Sequence, residues 1–274
     1  MSDEQRLLAF ILAGLAILLA APVWRVLRNR RRAEAFREPF PEQWRTYLQR
    51  GFPLYRRMPR ELRLRLEPAV RAFLADVRFV GCQGFEITDE VQLVIATQAC
   101  LLIVARDPHA YAGLSSVLVY PDEFVITERH EDEAGVISEA ESAVQGQSED
   151  DHRVILSWRD VMESAADADA YHVVLHEFAH YLDNSVGGML TDTESGSEKL
   201  KGWHDMLARE YAAFCDAVDR DEDTLIDENA AEHPAELFAY ATEVFFEQPA
   251  QMARRHPALY AQLRSFYGLD PAAW

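Results

Sequence analysis

The sequence predicts an α+β domain, mostly helical with a small mixed sheet, preceded by one apolar helix at the amino terminus. Three observations carry this. Apolar residues recur at helical spacing through 62–80, 88–105, 203–218 and 233–246, as in helices that bury one face. Short runs at 117–120, 124–127 and 153–158 are rich in β-branched and aromatic residues, with Pro121-Asp122 between the first two, and read as strands. Leu7–Val23 runs 17 residues without a charge, at the short end of what a bilayer-spanning helix needs.

Trp24 follows the apolar run as an interfacial aromatic, and Arg25, Arg28, Arg30, Arg31 and Arg32 come directly after it. Arginines in that position stay on the cytoplasmic side, which predicts a single-pass inner-membrane protein with its large domain in the cytoplasm. A cleaved signal peptide would carry its charge before the apolar run instead. Residues 1–32 therefore read as a membrane helix with a basic flank, and 33–60, rich in Pro, Arg and aromatics, as a tether. Residues 61–274 form the domain.

A formal charge of −19 excludes nucleic acid as a partner class, because a phosphate backbone selects positive surfaces. Six arginines against Asp3 and Glu4 make residues 1–32 basic, so the acidic excess belongs to the body. Cys82, Cys100 and Cys215 show no C-x-x-C spacing and read as free thiols.

Within the domain, Leu62, Leu66, Val70, Phe73 and Val77 mark a first helix through Val80. The second, 88–105, is apolar enough to suggest another membrane span. Its short length and Gln92, Thr97 and Gln98 favour a buried helix. Residues 128–151 are acidic and poor in aliphatics, which predicts a loop.

The chemistry concentrates in Tyr171–Asn184, YHVVLHEFAHYLDN, where His176, Glu177 and His180 stand as H-E-x-x-H. Residues four apart share a helix face, so both imidazoles can reach one ion, and Glu177 is placed to take a proton from metal-bound water. Asp183 is a candidate to hold a ligand imidazole from behind. A catalytic zinc site needs a third protein ligand. Glu236 is the preferred candidate because Pro234 sets it in the first turn of a helix. Glu243, seven residues on, competes, and His204 and His233 are weaker alternatives.

Five segments, QGFEI (83–87), VLVYPDEFVI (117–126), VILSW (154–158), LHEFAHYLDN (175–184) and IDENAAEHPAELFAYATEVFFEQP (226–249), recur here in order. On them the chain resembles the bacterial Mlc titration factor A family of zinc peptidases, related to the anthrax lethal factor catalytic domain. The resemblance implies a zincin-like metallopeptidase with Zn²⁺ on His176, His180 and Glu236, and Glu177 as general base. Its substrate would be a peptide or protein, laid along VILSW. The family name also implies a regulatory alternative, sequestering a transcriptional repressor or other protein with weak or no hydrolysis. One departure stands out. Asn229 occupies the place, seven residues before the ligand glutamate, where the family has a tyrosine that donates to the oxyanion. Asn229 is thus a candidate oxyanion donor, and Tyr181, Tyr211 and Tyr240 are further candidates for the missing hydroxyl.

Overall fold

The structure, a computed structural model, describes residues 23, 26–106, 109–122, 126–131, 137–142, 152–166, 172–185 and 198–274. The expected membrane helix, Leu7–Val23, lies outside the described residues apart from Val23. Among the described residues no helix is long and apolar enough to cross a membrane.

Helix α1 (26–37) leads into α2 (Glu42–Gly51) and α3 (Pro53–Arg57). The stretch expected as a tether is therefore helical. It also belongs to the core, because Leu48, Phe52, Leu54, Tyr55 and Met58 are buried. Glu67 of α4 (Arg60–Asp76) ties it down, taking two hydrogen bonds from Arg45 at 2.7 and 2.8 Å and one from Tyr55 at 2.9 Å. The prolines that suggested a tether instead open helices: Pro41 and Pro59 are N-caps and Pro53 is a first-turn residue, where a missing N–H costs nothing.

The helix expected to reach Val80 stops at Asp76. Val77 turns extended, and β1 (Arg78–Gly81) follows. Apolar residues here continued the helical spacing by coincidence, since a four-residue strand is too short to establish its own period. After α5 (Asp89–Ile103), capped by the Thr88 side chain on the Val91 N–H, come β2 (Ser116–Tyr120), β3 (Ile126–Glu131), β4 (Ile137–Ser142) and β5 (Arg153–Ser157).

The sheet is not mixed. Its order is β1-β2-β5 with every pair parallel, Val117 opposite Phe79 on one side and Val154 on the other. Helix α5 makes the first crossover, as parallel pairing requires. Antiparallel pairing is confined to a separate ribbon, β3 with β4. That ribbon lies where the sequence suggested an acidic loop.

Helix α5 runs through the interior, with twelve of its fifteen residues buried. Thr97 donates to the Leu93 carbonyl at 2.7 Å, so this apolar segment is a core helix surrounded by protein. Helices α6 (Trp158–Ala166) and α7 (Val173–Ser185) follow the sheet. Val174, Leu175, Phe178, Ala179 and Leu182 bury the apolar sides of α7 against β5, α5 and α9 (Pro234–Glu247). Helix α8 (Glu198–Asp219), a 3-10 turn at Glu228–Ala231, α10 (Pro249–Arg255) and α11 (Pro257–Tyr267) complete the chain. Cys82, Cys100 and Cys215 are free, with Cys100 buried and the other two half-buried.

Candidate metal centre

Helices α7 and α9 pack side by side, and the polar residues of each converge on one point. From α7, His176 and His180 bring their Nε2 atoms to 3.1 Å of one another. From the first turn of α9, Glu236 sets one carboxylate oxygen 3.2 Å from His176 Nε2 and the other 3.2 Å from His180 Nε2. The three donor atoms lie within 4.8 Å of each other, the one such metal-competent group among the described residues.

Local sequence explains how Glu236 gets there. Pro234 fixes the start of α9, and His233 caps it, its Nδ1 accepting from the Ala235 N–H at 3.1 Å. His233 is thereby committed to a backbone role. His204, the other weaker alternative, lies on α8 outside the donor group.

Glu243 stands outside that donor group, on the other side of the His176 ring. Its carboxylate meets His176 Nδ1 at 2.8 Å and accepts from the His172 backbone N–H at 2.6 Å. Seven residues along a helix is an axial distance of about 10 Å, and the imidazole of His176 fills that span, with Glu236 at one nitrogen and Glu243 at the other. A carboxylate at Nδ1 favours the tautomer with its proton there. Nε2 then turns a lone pair toward Glu236 and His180. This was the role the sequence offered to Asp183, which is buried.

Three acceptors facing one another call for a cation between them, and that is the fit of these residues to a metal ion. In the protein alone, a proton serves. Burial works against a charged His176, but the hydrogen-bonding carboxylates of Glu236 and Glu243 raise it to about 10. Burial would raise Glu236, yet its bonds to the two histidines hold it below the usual carboxylate range.

Glu177 lies one residue beyond His176, only 7% exposed. Burial raises the pKa of its carboxyl above the ordinary value, against the pull of both histidines. A carboxylate of elevated basicity beside a metal site is suited to take a proton.

Asn229 is exposed on the 3-10 turn, its backbone N–H held by Asp227 at 2.9 Å. Burial raises the Tyr240 hydroxyl above its ordinary range, and the neighbouring Asn229 side chain works against that rise. Tyr240, one turn after Glu236, packs edge-on to His176 with ring centres 4.7 Å apart. The other tyrosines are engaged elsewhere: Tyr211 donates to the Ala231 carbonyl at 2.7 Å, and the Tyr181 hydroxyl lies against Gly113. Sequence reasoning weighed Glu243 only as a competing ligand and left Tyr240 unranked. The usable signal for both was their helix face, shared with Glu236 at spacings of seven and four.

Comparison with known proteins identifies the family of the chain. The sequence profile of the glucose-regulated metallo-peptidase family M90 matches residues 26–268. An uncharacterised protein of Synechocystis is 33% identical over 267 residues, covering 96% of both chains. Mlc titration factor A of Cronobacter sakazakii is 32% identical over 238 residues, covering 84% of this chain and 87% of the relative. The Mlc titration factor A of Klebsiella pneumoniae subsp. pneumoniae is 34% identical over 208 residues, covering 73% and 77%. With a profile spanning nearly the whole chain and relatives of this identity along most of their length, the chain belongs to the glucose-regulated metallo-peptidase family M90, the family of Mlc titration factor A.

Proposed function

We propose that the chain hydrolyses peptide bonds with a zinc ion held by His176, His180 and Glu236. The convergence of these three side chains beside the buried Glu177 carries the reading. Two imidazoles and a carboxylate are the donor set of catalytic zinc peptidases. These residues would hold a zinc ion, which would supply polarisation of the scissile carbonyl and a bound water whose pKa falls toward about 7.

The chain's own residues do the rest. Glu177 takes the proton of the attacking water and delivers it to the leaving amine. Glu243 holds His176 in its tautomer and orientation. Tyr240 donates its hydroxyl hydrogen to the oxyanion, and the amide of Asn229 aligns that hydroxyl from behind. This reading moves the donor from Asn229 itself to its partner. A peptide of defined sequence drawn from a library screen, with zinc-loaded protein, tests it. Tyr240→Phe lowers kcat by about a hundred- to a thousandfold with zinc content unchanged, and Asn229→Ala has a smaller effect in the same direction. Full turnover in Tyr240→Phe removes Tyr240 from the mechanism.

The names of the relatives support a second reading, in which the chain also binds a protein partner such as a transcriptional regulator. Retention of that partner by Glu177→Gln protein separates binding from hydrolysis.

We place the domain on the cytoplasmic face of the inner membrane, anchored by Leu7–Val23, on the strength of the arginines that follow. A reporter fused after Trp274 then behaves as cytoplasmic, and the protein sediments with membranes until residues 1–32 are deleted. A periplasmic reporter signal overturns the orientation.

A further inference from the structure

Helix α1 is fastened to α4 at two points and leaves a space between them. At one end Arg28 makes a two-point ion pair with Asp76 and donates to the Ala112 carbonyl at 3.0 Å. At the other, Arg71 donates to the Ala35 carbonyl at 3.2 Å and pairs with Glu38. Alongside these anchors lies a cavity of about 800 Å³, within the size range of pockets that enclose a small molecule.

The cavity is built from two helix faces. Asn29, Arg32, Ala33, Phe36 and Arg37 line it from α1, the i, i+3, i+4, i+7, i+8 set that makes one stripe. Leu64, Pro68, Ala69, Ala72 and Phe73 line it from α4. Its floor is apolar and buried at Ala72, Phe73, Val77 and Ile103, while Phe36 and Leu64 stand half-exposed at its lip. Its charged lining is predominantly cationic. Arg32, Arg37, Arg65 and Arg106 line it, and the sole lining carboxylate among the described residues, Asp76, is already held by Arg28. On a chain of formal charge −19, this is a local reversal of sign.

We propose that this groove binds one anionic phospholipid, an acyl chain lying against Phe36, Leu64 and Phe73 and the phosphate on Arg32, Arg37 and Arg65. An apolar floor with a cationic rim complements a molecule that joins a hydrocarbon chain to an anion, and a nucleic acid would leave the floor unused. Sequence continuity selects the lipid. The uncharged run Leu7–Val23 ends where α1 begins, and Val23, Val26 and Leu27 are all exposed at that end. Selection of a lipid rests on the membrane anchor proposed above, because basic side chains just cytoplasmic of an apolar segment meet the anionic leaflet.

Native mass spectrometry of the full chain in neutral detergent, titrated with phosphatidylglycerol, phosphatidylcholine and inorganic phosphate, tests this. Phosphatidylglycerol binds at about one per chain, about tenfold tighter than phosphatidylcholine, and phosphate does not displace it. Arg32→Gln and Arg37→Gln each weaken it by roughly fivefold. Ala69→Trp fills the groove and abolishes binding while melting temperature and zinc content hold. If that variant fails to fold, Ala33→Trp, which occupies the same space from the exposed helix, takes its place. Equal binding of the two lipids, binding of neither, displacement by phosphate, or lipid retained in a folded Trp variant overturns the proposal.

Discussion

Glu177→Gln lowers peptide turnover by about a hundred- to ten-thousandfold, the range that a positioned general base contributes, while KM and zinc content stay at wild-type values. Glutamine keeps the shape and hydrogen-bonding reach of glutamate but has no lone-pair oxygen basic enough to accept a proton from water. Zinc content is spared because Glu177 stands outside the group formed by His176, His180 and Glu236. Stability is spared as well. Burial disfavours the charged form of Glu177, so a neutral amide of the same size removes a desolvation cost and the melting temperature does not fall. Kinetics on one peptide substrate, with metal analysis of the same preparation, reads the result. Turnover within a few-fold of wild type would mean that another group activates the water.

Glu177 could be proposed from the chain alone because H-E-x-x-H is a local code. Its three roles follow from positions within one helix turn, whose geometry is the same wherever it occurs. Glu236 needed more, because its partners lie on another helix. Only Pro234 and the resemblance distinguished it from Glu243, which shares its face. The part of the centre that stayed illegible is the part that depends on how α7 and α9 cross. Which glutamate meets Nε2 of His176 and which meets Nδ1 is a matter of axial offset between two helices, and no periodicity within either encodes it. The nearness of Asn229 to Tyr240 is of the same kind, because it depends on how the 3-10 turn packs on the helix behind it.

The fold divides along the same line. Long helices such as α5 and α9 were legible from their apolar residues. The misreadings fell on short or ambiguous pieces. Residues 78–81 carried too few alternations to break the helical spacing before them, and the paired strands 126–131 and 137–142 fall largely in a charged stretch. The supposed tether misled because proline has two uses. It is disfavoured in helix interiors, although α4 holds Pro68 in its middle, and it also starts helices; at Pro41, Pro53 and Pro59 the second use applies.

Removing Glu236 and removing Glu243 have opposite signatures, although both carboxylates touch His176. Glu236→Ala, like His176→Ala and His180→Ala, deletes a donor from a three-donor site, so zinc falls from close to one per chain to a trace and hydrolysis is lost with it. The fold tolerates the change, because Glu236 is half-buried in a first turn whose cap is His233. Glu243→Ala leaves the donors in place. It weakens zinc by about ten- to a hundredfold, the usual effect of removing the group that orients a ligand histidine. Its larger cost is to stability. Glu243 is buried with bonds to His176 Nδ1 and the His172 N–H, and stripping one partner from such a buried polar cluster costs about 3 kcal/mol or more. Zinc titration and thermal unfolding of both variants distinguish the roles. A Glu243→Ala protein that melts like wild type but holds no zinc would make Glu243 the third ligand, and Glu236 a bystander at the mouth of the site.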